Sequence, residues 1–367
     1  MSNMMKAAVY HALDDIRLEQ RPVPQVGPGE ILLRTLACGL CGGEAMAWYK
    51  KSQPKVLGHE PVGEVVELGA GVQDFRLGDR VFVNHHVGRI NSHWSRRGHF
   101  TRDPFYQTMK LDPGGVCEYY RVTARHLETD AHVLPDSISN EAAVTIEPWS
   151  CVLSGLKVCH IQPGDTVAVV GAGFMGQGFV HMAPLFGAGK VIALDLSDWR
   201  LDKARGFGAT HVINPRAADP VAAMRAINNG RLADTVIVTA PLAQAWTQAR
   251  ALVEPGGCLH LGAPLPPGTD WVQDGNRAYF DQITVTSRYR SDHTDTYSYI
   301  RLLEAGRINA EAAISHRFAI EDAARAFDLL VRAERSLKIV VYPGGLPGDK
   351  AGGTAAGMAG HTGAEVA

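Results

Sequence analysis

Val167-Ala168-Val169-Val170-Gly171-Ala172-Gly173-Phe174-Met175-Gly176 joins a fully apolar strand to a glycine loop, and Phe174–Phe186 then has helical spacing. A strand with no polar face belongs in a parallel sheet covered on both sides. Strand, G-x-G-x-x-G and helix in that order form the context in which the glycines carry meaning. Gly171 and Gly173 permit a tight turn and close approach of a pyrophosphate, and Gly176 lets helix and strand pack together. The loop and the helix N-terminus then face phosphate oxygens, with Gly171, Gly173, Phe174, Met175 and Gly176 as the candidate contacts. Val191–Asp195 is the next strand. Asp195 at its end is placed to accept hydrogen bonds from ribose hydroxyls and to repel a 2′-phosphate, which favours NAD over NADP. Arg200, five residues on, would tolerate that phosphate.

Outward from this loop the pattern keeps alternating. Trp199–Phe207, Pro220–Ile227 and Ala243–Leu252 read as helices between strands at His211–Ile213, Thr235–Thr239, Cys258–Leu261 and Gln282–Arg288. Such βαβ alternation predicts a doubly wound parallel sheet. Thr294–Ala305 and Ile320–Ala333 are predicted helices and Leu337–Tyr342 a last strand. The segment from Pro343 is rich in Gly, Ala, Thr and Pro, without an apolar period, and is expected to be disordered. Upstream, Glu141–His160 has helical spacing. Before it, Met5–Tyr10, Glu30–Ala37, Val62–Leu68, Arg80–Val83 and Glu118–Val122 are strand-like runs cut by turn residues. These predict a barrel-like β domain.

The chain has 367 residues, long for one core, with 46% hydrophobic and 20% charged residues. A net charge of -2 gives no pull toward nucleic acid or a membrane surface. No signal-peptide pattern or membrane-length apolar run is present. Six scattered cysteines do not make a disulfide framework, so a reducing cytoplasm is the expected setting.

Cys41, His59 and Glu147 carry the donor types that hold zinc. Taken singly, each has a plainer reading: a small buried apolar group, a core histidine, a charge at a helix start. Cys38 and Cys41 form a C-x2-C pair, but no second pair exists. A four-cysteine knuckle is thereby excluded, and Cys38 reads as a packing residue.

Several motifs together resemble the zinc-dependent medium-chain alcohol and polyol dehydrogenases, over about residues 5 to 342. They are Cys41-Gly42, Gly58-His59-Glu60 followed by Gly63-Glu64-Val65-Val66, Gly78-Asp79-Arg80-Val81, Gly114-Gly115, and Glu147-Pro148. A glutamate in the last motif is similar to the sorbitol and threonine dehydrogenase branches. The resemblance implies one catalytic zinc held by Cys41, His59 and Glu147, with Glu60 as an alternating or adjacent carboxylate. It also implies Lys338 at the cofactor pyrophosphate, and Arg80 and Glu147 near substrate or cofactor. It implies a GroES-like, barrel-type catalytic domain (residues 1–150), a Rossmann domain (151–292), a return to the first domain (293–342) and a tail (343–367). A homodimer or homotetramer acting on a small alcohol or polyol is the implied assembly. Three protein ligands leave a fourth position open on zinc, and zinc beside a nicotinamide is the equipment for hydride transfer at a carbinol carbon.

The chain departs from that family in three places. The structural-zinc spacing C-x2-C-x2-C-x7-C is occupied by Arg89, Ser92, Ser95 and Asp103, so no structural zinc is expected. Packing around Trp94, Phe100, Phe105 and Tyr106 would hold that lobe instead. His85, His86, His93 and His99 sit among Arg89, Arg96, Arg97 and Arg102, which oppose a cation there. Gly43 and Met46 occupy the positions of the usual hydroxyl and imidazole relay, so proton release must use water, Glu60 or another group. Trp48-Tyr49-Lys50-Lys51 with Lys55 near the cysteine loop would suit a sugar-like or anionic substrate. The motifs and the resemblance together predict an NAD-linked zinc dehydrogenase of a polyol, cyclitol or related alcohol. Its rivals are a metal-free reductase of the same superfamily and a protein that binds zinc or NAD without turnover.

Overall fold

The computed structural model describes residues 3–46, 48, 55–271 and 274–347. Its first part contains β1 (Met4–Ala12), β2 (Asp15–Pro22), β3 (Ile31–Leu40), β4 (Lys55–Val56), β5 (Glu60–Leu68), β6 (Arg80–Val83), β7 (Tyr119–Val122) and β8 (Ala131–Val133). The second part carries β9 (Thr166–Val170), β10 (Lys190–Leu194), β11 (His211–Ile213), β12 (Ala233–Val238), β13 (Val253–Leu261) and β14 (Thr284–Ser287). The chain closes with β15 (Ile314–Ala319) and β16 (Lys338–Tyr342).

The second group forms one six-stranded sheet in the order β11-β10-β9-β12-β13-β14, with every pairing parallel. All five residues of β9 are buried, as its apolar sequence requires of a central parallel strand. The strand order reverses between β9 and β12, so the crevice beyond their carboxyl ends is the natural ligand position of such a sheet. Ordinary end signals set the flanking helices. Ser197 caps Asp198–Gly206, and Asp219 with Pro220 opens Pro220–Ile227. Asp292 and Asp295 form a capping box for His293–Glu304. Each such cap contributes about 1 kcal/mol.

The first group builds a seven-stranded sheet, β15-β16-β3-β5-β6-β8, with β7 also paired to β3, and a three-stranded sheet β2-β1-β4. β16 pairs antiparallel with β3, bringing the end of the chain back to the first domain. The expected helix over Glu141–His160 is two helices, Asn140–Ala143 and Ile146–Lys157. Between them the Thr145 hydroxyl bonds Ala142 O and the Tyr299 hydroxyl. Trp149, fully buried, stacks on Phe174 at 5.3 Å and joins this helix to the glycine loop. Residues 343–347 turn back on Tyr342, and Leu346 packs against the core. The rest of the expected disordered tail, residues 348–367, lies outside the described residues.

Candidate active site

Cys41 follows β3 directly and caps the 3₁₀ turn Gly42–Ala45, its sulfur accepting from Gly43 N at 3.4 Å. Gly58 turns the chain into His59 with φ of 86°, a conformation open to glycine. A Cβ there would lie 2.6 Å from Cys38 Sγ. Buried Glu44 clasps the two segments: Oε2 accepts from Cys41 N and Oε1 from Gly58 N. Glu60 begins β5 and is fully buried. Glu147 lies in the first turn of Ile146–Lys157, also buried.

The donor atoms of Cys41, His59 and Glu60 lie within 4.8 Å of one another. So do those of His59, His85 and Glu147. His59 is common to both groups and thus draws together all four residues expected from the sequence. One thiol, imidazoles and carboxylates in this compass are a donor set that fits zinc. Glu60 Oε1 is buried without a hydrogen-bond partner, which suits a carboxylate oxygen able to meet a cation.

The sequence reading missed His85. β5 and β6 pair as Val62↔Phe82, Gly63↔Val81 and Glu64↔Arg80. Continuing that register three positions past Val62 places His59 opposite His85, and their ring centroids are 4.6 Å apart. Arg290 Nη1 lies 3.1 Å from His85 Nε2. A guanidinium only donates, so Nε2 accepts and the imidazole proton sits on Nδ1. Nδ1 is 3.6 Å from Glu147 Oε1. Burial, with His86, His59 and Arg290 nearby, holds His85 well below the usual histidine range. Burial likewise pulls His86 down, to about 2. His59 goes the other way: burial opposes its charge, but Cys41 and Glu44 outweigh it and raise it. Glu147 is raised by burial and by Glu60, against the pull of His59 and Arg290.

Lys338 and Arg80 both have protein partners. Lys338 Nζ lies 2.5 Å from Glu60 Oε2 and 3.0 Å from Leu40 O. Those two acceptors use two of the three ammonium N–H donors. Lys338 meets the nucleotide loop through the ring of Phe174, 4.2 Å from its ammonium. Arg80 donates to Asn140 Oδ1, Pro135 O and Ile138 O, clamping that loop.

At the nucleotide loop, a Cβ on Gly176 would lie 1.9 Å from Gly171 O, whereas one on Gly173 would meet nothing within 4 Å. Gly176 therefore serves packing, and Gly173 leaves the crevice side open. The Asp195 carboxylate accepts from Ala172 N and Ser197 N at 2.8 and 2.9 Å, with Arg200 Nη1 at 3.8 Å. Each carboxylate oxygen has a second lone pair for a ribose hydroxyl.

In the lobe, the four residues at the structural-zinc spacing bond to one another. Arg89 forks onto fully buried Asp103 at 2.8 and 3.1 Å. Ser92 and Ser95 hydroxyls are 2.9 Å apart, and Ser95 Oγ donates to Arg89 O. A polar network thus links all four positions. Phe100 and Tyr106 are buried as expected, but Trp94 is exposed. His93 and His99 are exposed and apart from the His85 cluster. Of the residues expected to line a substrate cleft, Tyr49, Lys50 and Lys51 lie outside the described residues.

Comparison with known proteins agrees with this geometry. Residues 27–136 match the alcohol dehydrogenase GroES-like domain, and residues 175–305 match the zinc-binding dehydrogenase family. The chain is 31% identical over 355 residues to the sorbitol dehydrogenase of Bacillus subtilis, covering 92% of this chain and 97% of that one. It is also 31% identical to the L-threonine 3-dehydrogenase of Pyrococcus horikoshii, covering 87% of this chain and 92% of that one. Among solved structures, a zinc-binding dehydrogenase from Sinorhizobium meliloti, bound to NADP, superposes with a TM-score of 0.84 at 26% identity, over 93% of this chain and 99% of that one. The 2R,3R-butanediol dehydrogenase of Bacillus subtilis superposes with a TM-score of 0.81 at 25% identity, over 92% and 99%. Among the described residues no helix is long and apolar enough to cross a membrane. The chain belongs to the zinc-binding, medium-chain family of alcohol and polyol dehydrogenases, a family of nicotinamide-linked oxidoreductases.

Proposed function

We propose that the protein oxidises a polyol, cyclitol or related secondary alcohol, with one zinc per chain and NAD as hydride acceptor. The observation that carries this reading is the pair of donor groups that share His59, one with Cys41 and Glu60 and one with His85 and Glu147, beside a helix that also meets the nucleotide loop. Trp149 stands two residues after Glu147 and stacks on Phe174. Cys41, His59 and Glu147 would hold the zinc. When bound, it would supply Lewis acidity toward a substrate oxygen.

The chain's own residues do the rest. Glu44 fixes the cysteine loop to Gly58 and so orients Cys41 against His59. Arg290 fixes the tautomer of His85, whose Nδ1–H faces Glu147. Lys338 balances the charge of Glu60, itself one of the cluster's donors. Gly43 and Met46 offer neither hydroxyl nor imidazole, so a substrate proton leaves to water on the open side, where His59 is 26% exposed. Preference for NAD rests on Asp195, whose carboxylate at the end of β10 repels a 2′-phosphate. The related sorbitol and butanediol dehydrogenases support a vicinal or multiple hydroxyl substrate.

The test is NAD reduction across a panel of polyols, cyclitols and sugar phosphates, with metal analysis of the same preparation. Reduction by one of these with zinc present supports the reading. Turnover in metal-free protein would show a metal-independent reductase, and bound zinc with no turnover of any alcohol would show a binding protein.

A further inference from the structure

At the opposite end of the helix Ile146–Lys157 from Glu147, two cysteines meet. Gly155 on this helix packs against β13 so closely that a Cβ would lie 2.7 Å from His260 Nε2. One turn further on, Cys159 faces the next residue on the same side of β13, which is Cys258. Both cysteines belong to one buried cluster, and Cys159 Sγ donates to Gly155 O at 3.2 Å. Thr286 on β14 continues the rung, its hydroxyl 3.5 Å from Cys258 Sγ and 3.1 Å from His260 Nδ1. A cavity of about 250 Å³ is lined by both cysteines together with His160, Asp165, Asp234 and Thr284.

We propose that Cys159 and Cys258 are a peroxide-responsive dithiol that closes to an intramolecular disulfide. The pair is set up asymmetrically. The Thr286 hydroxyl 3.5 Å from Cys258 Sγ favours that sulfur as the attacking thiolate, and Cys159, whose thiol donates to Gly155 O, is the resolving thiol. Burial pushes the Cys38, Cys117 and Cys151 thiols up, leaving them protonated and inert. The cavity admits a molecule of a few atoms easily, since a water takes roughly 30 Å³. Asp165 and Asp234 in its lining disfavour an anionic disulfide and leave a small neutral peroxide as the suitable oxidant.

The steps balance. Cys258 thiolate attacks one peroxide oxygen, forming S–O and breaking O–O, and the departing hydroxide takes up a proton as water. Cys159 sulfur attacks the Cys258 sulfenic sulfur, S–S forms, S–O breaks, and the Cys159 proton leaves with the hydroxyl as a second water. Two thiols are oxidised and one peroxide is reduced. The bond fastens to the sheet the helix whose first turn carries Glu147, so oxidation reaches the candidate active site through a rigid element.

The test is hydrogen peroxide treatment of the full-length, zinc-loaded protein, followed by alkylation and peptide mass mapping. The expected result is a linked Cys159–Cys258 peptide lighter by two hydrogens, reversed by a thiol reductant. Cys159→Ser should leave a Cys258 sulfenic acid that dimedone traps, and Cys258→Ser should abolish the link. Recovery of both as alkylated thiols while other cysteines oxidise would overturn the proposal, as would a link from Cys258 to any other cysteine. The map of the unmodified protein decides alone if a serine variant fails to fold. It reads thiols only, so it is independent of whether the protein oxidises a polyol.

Discussion

Lys338 Nζ lies 2.5 Å from Glu60 Oε2, although 278 residues separate them in the chain. Neither side chain is more than 2% exposed. The pair joins the last strand to the first residue of β5, directly behind the candidate metal cluster. Removing one partner strands the other charge in the core, at a cost of about 3–5 kcal/mol. Lys338→Met should lose stability on that scale in urea unfolding, and Glu60→Gln combined with Lys338→Met should recover part of it. Equal stability of the single variant and the unmodified protein would mean the pair is not buried as described.

Gly39 stands against the same pair, and an added Cβ would lie 2.1 Å from Glu60 Oε2. Gly39→Ala should therefore displace Glu60 and destabilise the protein by about 1–3 kcal/mol, the range for overpacked cores. Thermal unfolding checks this. A neutral effect would show that the carboxylate has room to move.

The lobe predicts an acid sensitivity. Arg89 hydrogen bonds, against burial, hold the Asp103 carboxyl down to about 2, below the ordinary 3.8. A lowered carboxyl contributes stability that is complete above its ordinary value and lost as pH falls through the lowered one. The lobe should thus be insensitive to pH above 4 and loosen between about 4 and 2. Because the Arg89 side chain is half exposed, Asp103→Asn should cost only about 1 kcal/mol at neutral pH. Limited proteolysis across residues 89–103 as a function of pH reads the effect, and loosening confined to alkaline pH would contradict the assignment. Elemental analysis should find one zinc per chain; a second tightly held zinc would mean that the polar network is not what holds the lobe.

Cofactor choice follows from Asp195. The unmodified protein should show a higher kcat/KM with NAD than with NADP, and Asp195→Ser should narrow the ratio by about 10-fold or more, with Arg200 then open to the phosphate. Equal values in the unmodified protein would show that Arg200 dominates that site.

The path from sequence to site was uneven for physical reasons. The glycine loop was legible because strand, turn and helix signals coincide within a few residues, and β9 and β11 were read to the residue. Cys41, His59 and Glu147 were legible only together, through their motifs. β2, Asp-Ile-Arg-Leu-Glu-Gln-Arg-Pro, escaped because a half-exposed strand of charged residues has little apolar alternation. β15 escaped for a similar reason. His85 reads as a lobe residue until the β5–β6 register is known, and register is a tertiary fact. Glu44 carried a usable signal: a polar cap followed three residues later by Glu is the capping-box pattern, here with a cysteine as the cap. The protein partners of Lys338 and Arg80 were not legible, since a long cation has several acceptors within reach and its sequence position does not choose among them.

Cys41, His59 and Glu147 are proposed to hold the metal on which hydride transfer depends. The most direct measurement is the absorbance of reduced nicotinamide during polyol oxidation, before chelation, after it, and after zinc is restored. The account predicts activity that disappears on chelation and returns with zinc, and that zinc does not restore in Cys41→Ala or His59→Ala, both of which stay folded. Polyol-dependent NAD reduction that survives complete removal of the metal would contradict it.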